Sequence, residues 1–96
     1  MAYQHGRRDR NHVEIREGLR QCGFAVLDLG DVGSGCPDLL VCSQSGNMTL
    51  VEVKMPGERL TEAERLFFAT WPGQCVIATR IEEIVMMLRI AESEEK

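Results

Sequence analysis

The chain has 96 residues, 44% of them hydrophobic and 27% charged, with a net charge of −4. That composition suits one globular domain and excludes a disordered, collagen-like or coiled-coil chain. The longest wholly apolar run, Ile84 to Leu88, is far short of the ~20 residues of a membrane span, and the polar start MAYQHGRRDRN lacks the apolar stretch of a signal peptide, so a cytoplasmic protein is expected.

Turn residues divide the chain into seven elements. Residues 8–22 carry Ile15, Leu19 and Cys22 at i, i+4, i+7, the spacing of a helix, and Gly23 is a suitable left-handed stop. Phe24 to Leu29 reads as a strand. Gly30 to Pro37 holds three glycines and a proline and reads as a loop. Asp38 to Gln44 and Met48 to Met55 read as strands joined by a turn at Ser45, Gly46 and Asn47, and Pro56-Gly57 breaks the second of them. Thr61 opens a helix, with Glu64 placed to complete a capping box. That helix stops near Trp71-Pro72-Gly73, Cys75 to Thr79 is a short strand, and Thr79 with Glu82 reads as a second capping box. The last helix carries Ile81, Ile84, Val85 and Leu88 on one stripe. The order α-β-β-β-α-β-α predicts an α/β fold: a mixed four-stranded sheet flanked by helices. One domain is expected over 1–96, with a core from about 8 to 90 and an acidic tail at 92–96.

Charge is unevenly distributed. Arg7, Arg8, Arg10, Arg16 and Arg20 lie in the first twenty residues, and this basic face is either a solvated helix surface or a set of phosphate contacts. Four cysteines at 22, 36, 42 and 75 form no CxxC, and the two histidines, His5 and His12, offer no zinc spacing. Buried reduced thiols are the expectation. His12 is expected at the surface or on a phosphate. Trp71 with Phe67 and Phe68 reads as a base-stacking group, a core cluster or a dimer contact, and Met86 and Met87 as packing, within the fold or between subunits.

The chemistry concentrates between residues 35 and 54. Side chains alternate along a strand, so Glu52 and Lys54 share one face, and Asp38, Leu40 and Cys42 share a face of the preceding strand. A three-residue turn at 45–47 pairs Gln44 with Met48 and Leu40 with Glu52, leaving Asp38 a diagonal neighbour of Glu52. A register shifted by one would put Asp38 on the wrong face. Two carboxylates ~4 Å apart repel by roughly 4 kcal/mol at an effective dielectric near 20. A shared proton or a cation must offset that. Hard oxygen donors select Mg²⁺ or Mn²⁺, and two carboxylates leave coordination positions for water and a substrate phosphate. The pattern fits phosphodiester hydrolysis, with Lys54 orienting the attacking water or stabilising developing charge.

The segment Gly35-Cys36-Pro37-Asp38-Leu39-Leu40-Val41, followed by Leu50-Val51-Glu52-Val53-Lys54, resembles the PD-(D/E)xK nuclease signature. The G-x-P-D-L form, the spacing and the helix that follows resemble the VRR-NUC family (virus-type replication-repair nucleases), over roughly residues 10 to 80. The resemblance implies a restriction-endonuclease-like αβββαβ(α) core and Mg²⁺- or Mn²⁺-dependent DNA cleavage. It implies Asp38, Glu52 and the main-chain carbonyl of Val53 as metal ligands and Lys54 as the catalytic lysine. The family's first-helix glutamate matches Glu14, which shares a stripe with Gly18 and Gln21. Where the family usually has a glutamine in the second helix, this chain has Glu64. Stand-alone members are small viral (phage) or bacterial proteins similar to homodimeric Holliday-junction resolvases. The expected function is therefore a structure-selective DNA endonuclease acting on branched DNA as a homodimer, with Arg7, Arg8, Arg10 and Arg16 on phosphates. The alternatives are a non-catalytic DNA-binding or assembly module on the same fold, or a flap or single-strand nuclease.

Overall fold

The structure is a computed structural model, and it describes residues 10–94. Helix α1 spans Arg10–Gln21, strands β1, β2 and β3 span Ala25–Asp28, Leu39–Cys42 and Met48–Val53, helix α2 spans Glu62–Thr70, strand β4 spans Cys75–Ala78 and helix α3 spans Ile81–Glu94. The four strands form one sheet in the order β1-β2-β3-β4. The first two pairings are antiparallel and the β3–β4 pairing is parallel, so the sheet is mixed as the element order predicted.

One sheet face makes the core. Val26, Leu39, Val41, Val51, Val53 and Ala78 are buried there beneath Ile15 and Leu19 of α1 and Ile84 and Leu88 of α3. The stripes read from helical spacing are the stripes that pack. Gly18 lets the two helices close, because a Cβ there would lie 2.9 Å from Ile81 Cδ1. Gly18 thus faces α3.

Strand β3 carries the site residues. Its last five residues are buried, Glu52 among them, and buried Lys54 follows directly. The opposite sheet face is covered more lightly. Helix α2 buries none of its own side chains. Its first turn is set by a complete capping box between Thr61 and Glu64, as read from TEAE. The loop before β2 reaches this turn through Gly35 (φ 79°), where a Cβ would lie 2.3 Å from the Ala63 carbonyl oxygen. Gly35→Ala is therefore expected to cost at least about 1–2 kcal/mol from left-handed strain alone. It should also push α2 off the loop, which chemical denaturation and the loss of the Lys54 contact described below will register.

Three expectations need correction. The β2–β3 hairpin is offset by two residues: Cys42 pairs with Met48 and Leu40 with Leu50. The chain turns through Gln44, Ser45 and Gly46, closed by Ser43 N–H donating to the Asn47 carbonyl at 2.8 Å. Gly46 (φ 98°), not Asn47, takes the left-handed position. At the start of α3 the capping acceptor is Glu83, not Glu82; its carboxylate receives the N–H groups of Thr79 at 2.7 Å and Arg80 at 3.1 Å. The cysteines are all free, but Cys22 is exposed and Cys36, Cys42 and Cys75 are half-buried, so none is a core thiol.

Candidate active site

An offset of two residues keeps every side chain on its expected face. Asp38 stands just before the Leu39–Val51 pair, and its own N–H donates to the Val51 carbonyl at 2.9 Å, which holds it at the mouth of β2 beside Glu52. The β3 backbone aims Asp38: Val53 N–H donates to its Oδ2 at 2.8 Å. Glu52 is 2% exposed and its Oε1 is buried with no hydrogen-bond partner. An orphaned carboxylate oxygen beside a second carboxylate is the mark of a place that an ion or ordered water completes.

The electrostatics agree. Burial, followed by the fields of Asp38 and Glu64, pushes the Glu52 carboxyl up to about 9. Burial also raises Asp38, against the opposing Val53 hydrogen bond. Without a cation the pair therefore holds a proton at neutral pH. The linkage has a definite sign. The unfolded Glu52 ionises near 4.5 while the folded one stays protonated to about 9. Stability is therefore fully present below that window and falls as pH rises through it. Denaturation midpoints between pH 5 and 9 should fall in metal-free buffer, and added Mg²⁺ should flatten the decline.

Lys54 sits at the end of β3, only 5% exposed. Its N–H donates to the Ala78 carbonyl at 3.0 Å. Its Nζ lies 2.7 Å from Glu64 Oε1, 3.4 Å from Glu52 Oε2 and 3.6 Å from Glu58 Oε2. Burial disfavours the ammonium, but the Glu64 hydrogen bond and the surrounding carboxylates outweigh it and raise the Lys54 pKa. The lysine is therefore held in its charged form. Glu64 is thus more than a cap: the Oε1 that receives Thr61 N–H at 2.9 Å also holds the lysine.

Glu14 is exposed on α1, so its side chain faces solvent, as does Gln21 of the same predicted stripe. The residue that α1 turns inward is His12, which is 4% exposed and not at the surface as expected. Its Nε2 is 3.1 Å from Asp28 Oδ2 and its Nδ1 is 3.9 Å from Asp38 Oδ1. The signal was in the periodicity: His12 stands three residues before Ile15 on the stripe that continues to Leu19. Asn11 beside it donates to the Lys54 carbonyl at 3.0 Å and the Thr79 carbonyl at 3.2 Å. Arg16 is taken up by Asp28 at 2.6 Å and Glu17 at 2.8 Å. Arg10 opens α1, and Arg7 and Arg8 lie outside the described residues. Phe67 and Trp71 stack with centroids 5.0 Å apart. Trp71 also lines a cavity of about 220 Å³ with Leu40, Met48 and Leu50.

The donor set suits a hard divalent cation: two carboxylates on adjacent strands, one with an orphaned oxygen. Among the described residues no three His, Cys, Asp or Glu side chains are gathered closely enough to form a ready cage. Two carboxylates with open positions for backbone, water and substrate match Mg²⁺ better than an all-protein site does. No described helix is long and apolar enough to cross a membrane.

The fold and this cluster define a small restriction-endonuclease-like α/β domain with its acids and lysine on the central hairpin and the strand end. A family model described as the VRR-NUC domain matches residues 4–82. The chain belongs to the VRR-NUC family and is a nuclease domain of the PD-(D/E)xK type. No curated protein and no solved structure gives a significant match.

Proposed function

We propose that this nuclease is a Mg²⁺- or Mn²⁺-dependent, structure-selective DNA endonuclease that works as a homodimer on branched DNA, the four-way Holliday junction foremost. The observation that carries the metal reading is the buried, unpartnered Glu52 Oε1, on a carboxyl that the neighbouring Asp38 charge helps to raise. Asp38 and Glu52 would hold the ion, with the Val53 carbonyl as the main-chain donor. Glu14 faces solvent in this chain and contributes no ligand in this reading. When bound, the ion supplies charge neutralisation at the scissile phosphate and an activated water. Asp38 is oriented for this by Val53 N–H. Lys54, fixed by Glu64, presents a permanent positive charge beside Glu52, where charge develops during phosphodiester hydrolysis.

The dimer follows from the substrate. Cutting two strands of a junction symmetrically needs two sites, which a two-fold pair of these small domains supplies. Apolar side chains are available for such a contact: Met48, Leu66, Trp71 and Met86 are 55%, 64%, 46% and 64% exposed. Phosphate contacts fall to Arg7, Arg8 and Arg10 ahead of and at the start of α1, with Arg16 recruited only if it leaves Asp28.

Incubating the full chain with four-way, forked, flap and single-stranded DNA, with Mg²⁺, Mn²⁺ or excess chelator, tests the reading. Metal-dependent paired incisions in the four-way junction, with a dimer in sedimentation, are expected. Binding without turnover would favour a non-catalytic module. Cleavage confined to flaps by a monomer would overturn the junction assignment alone.

A further inference from the structure

From the geometry around Asp28 we infer that His12 is a positioning residue for Asp38, carried to it by the first turn of α1 and locked in orientation by Asp28. The inference rests on Asp38 being a metal ligand and adds a residue that the signature does not contain. Four observations support it. His12 is 4% exposed, so its ring is enclosed by the fold. Its Nε2 meets Asp28 Oδ2 at 3.1 Å, and Arg16 Nη1 meets the same oxygen at 2.6 Å. Gly30 N–H donates to Asp28 Oδ1 at 2.9 Å, so both oxygens of this carboxylate are fixed. Neighbouring Asn11 pins the helix start to the Lys54 and Thr79 carbonyls, one residue past the ends of β3 and β4.

The consequence follows from donor and acceptor chemistry. These contacts keep Asp28 ionised, and an ionised carboxylate only accepts. Nε2 must therefore carry the hydrogen. The other ring nitrogen is then presented to Asp38 Oδ1 at 3.9 Å. That span is longer than a direct hydrogen bond, and since both atoms are acceptors they are joined by a water that donates one hydrogen to each. The series Arg16–Asp28–His12–Asp38 thus runs from the helix surface to the carboxylate and sets its angle. A carboxylate that binds metal depends on such outer partners, and losing one typically weakens metal affinity about 10–100-fold. A histidine that merely filled the core would affect folding and leave metal affinity untouched.

The test uses the full chain without DNA, with Mn²⁺ as the probe. Binding is measured by electron paramagnetic resonance for wild type, His12→Ala, His12→Gln and Asp28→Asn, each first shown folded by circular dichroism. His12→Ala should weaken Mn²⁺ about 10–100-fold. His12→Gln, which keeps hydrogen-bonding atoms, should recover part of the loss, and Asp28→Asn should lose less than His12→Ala. A second readout is independent of affinity. The chain has only two histidines, so the ring ¹⁵N signals of His12 are resolved by difference. They should show the Nε2–H tautomer and move on addition of Mg²⁺. Wild-type Mn²⁺ affinity in folded His12→Ala, or His12 signals that show the other tautomer, would overturn the inference while leaving the metal site standing. A wild type that binds no Mn²⁺ would instead remove the metal site itself, and this inference with it.

Discussion

Asp38→Asn is expected to abolish metal-dependent cleavage while leaving the metal-free fold at least as stable as wild type. In the proposed reading the acid pair holds an ion, so the two effects have opposite signs. Asparagine keeps an oxygen for Val53 N–H, so the 2.8 Å hydrogen bond survives. It also removes a charge that raises Glu52. The relief is smaller than the roughly 4 kcal/mol of two bare charges ~4 Å apart, because the pair already holds a proton. A gain of about 1 kcal/mol would raise Tm by roughly 4–8 °C in a domain of this length. Catalysis loses one of two carboxylate ligands and the several kcal/mol of charge stabilisation the ion supplies, a drop on the order of 10³-fold or more. Scanning calorimetry and junction cleavage on one preparation check both. An active variant, or one destabilised without metal, contradicts the reading of the pair.

Lys54→Met is expected to reduce cleavage about 10²–10³-fold, the usual cost of one preorganised charge-stabilising group. It should also destabilise the fold, because the lysine is the cation inside a ring of acids. Glu52, Glu58 and Glu64 all lie within 3.6 Å of its Nζ. Removing one partner of a buried ion pair typically costs about 3–5 kcal/mol. Part of that returns when the stranded partner is neutralised as well. The double variant Lys54→Met with Glu64→Gln should therefore recover stability and not activity, since glutamine serves the capping box as well as glutamate does. A double-mutant cycle measures the coupling. Additive stability effects would show that the 2.7 Å contact carries no energy.

Periodicity and turn chemistry made the element order legible. Gly23, Pro56-Gly57 and the Thr61 capping box marked boundaries that the backbone respects within a residue or two. The facing of Asp38 and Glu52 was legible for a related reason. Side chains repeat every two residues along a strand, so a register offset of two changes which residues meet and not which face they share. The offset itself lies in the turn, which runs through Gln44, Ser45 and Gly46 because the left-handed position goes to the residue without a Cβ. His12 was missed because its type suggested the surface while its position on the Ile15 and Leu19 stripe pointed inward. Its partner Asp28 ends a strand far along the chain, and no local spacing announces that pairing. Glu14 was placed at the site by the family's pattern alone. In this helix it stands beside the core stripe and faces solvent. The double use of Glu64 was hidden because a capping box explains that residue completely until Lys54 is seen beside it.

The most direct measurement is anomalous diffraction from crystals of the wild-type chain soaked in Mn²⁺. One strong peak is expected between Asp38 and Glu52, with Glu52 Oε1 and the Val53 carbonyl in coordination range and Lys54 still paired with Glu64. A site left without manganese, with Glu52 Oε1 satisfied by the protein or by water alone, would contradict it.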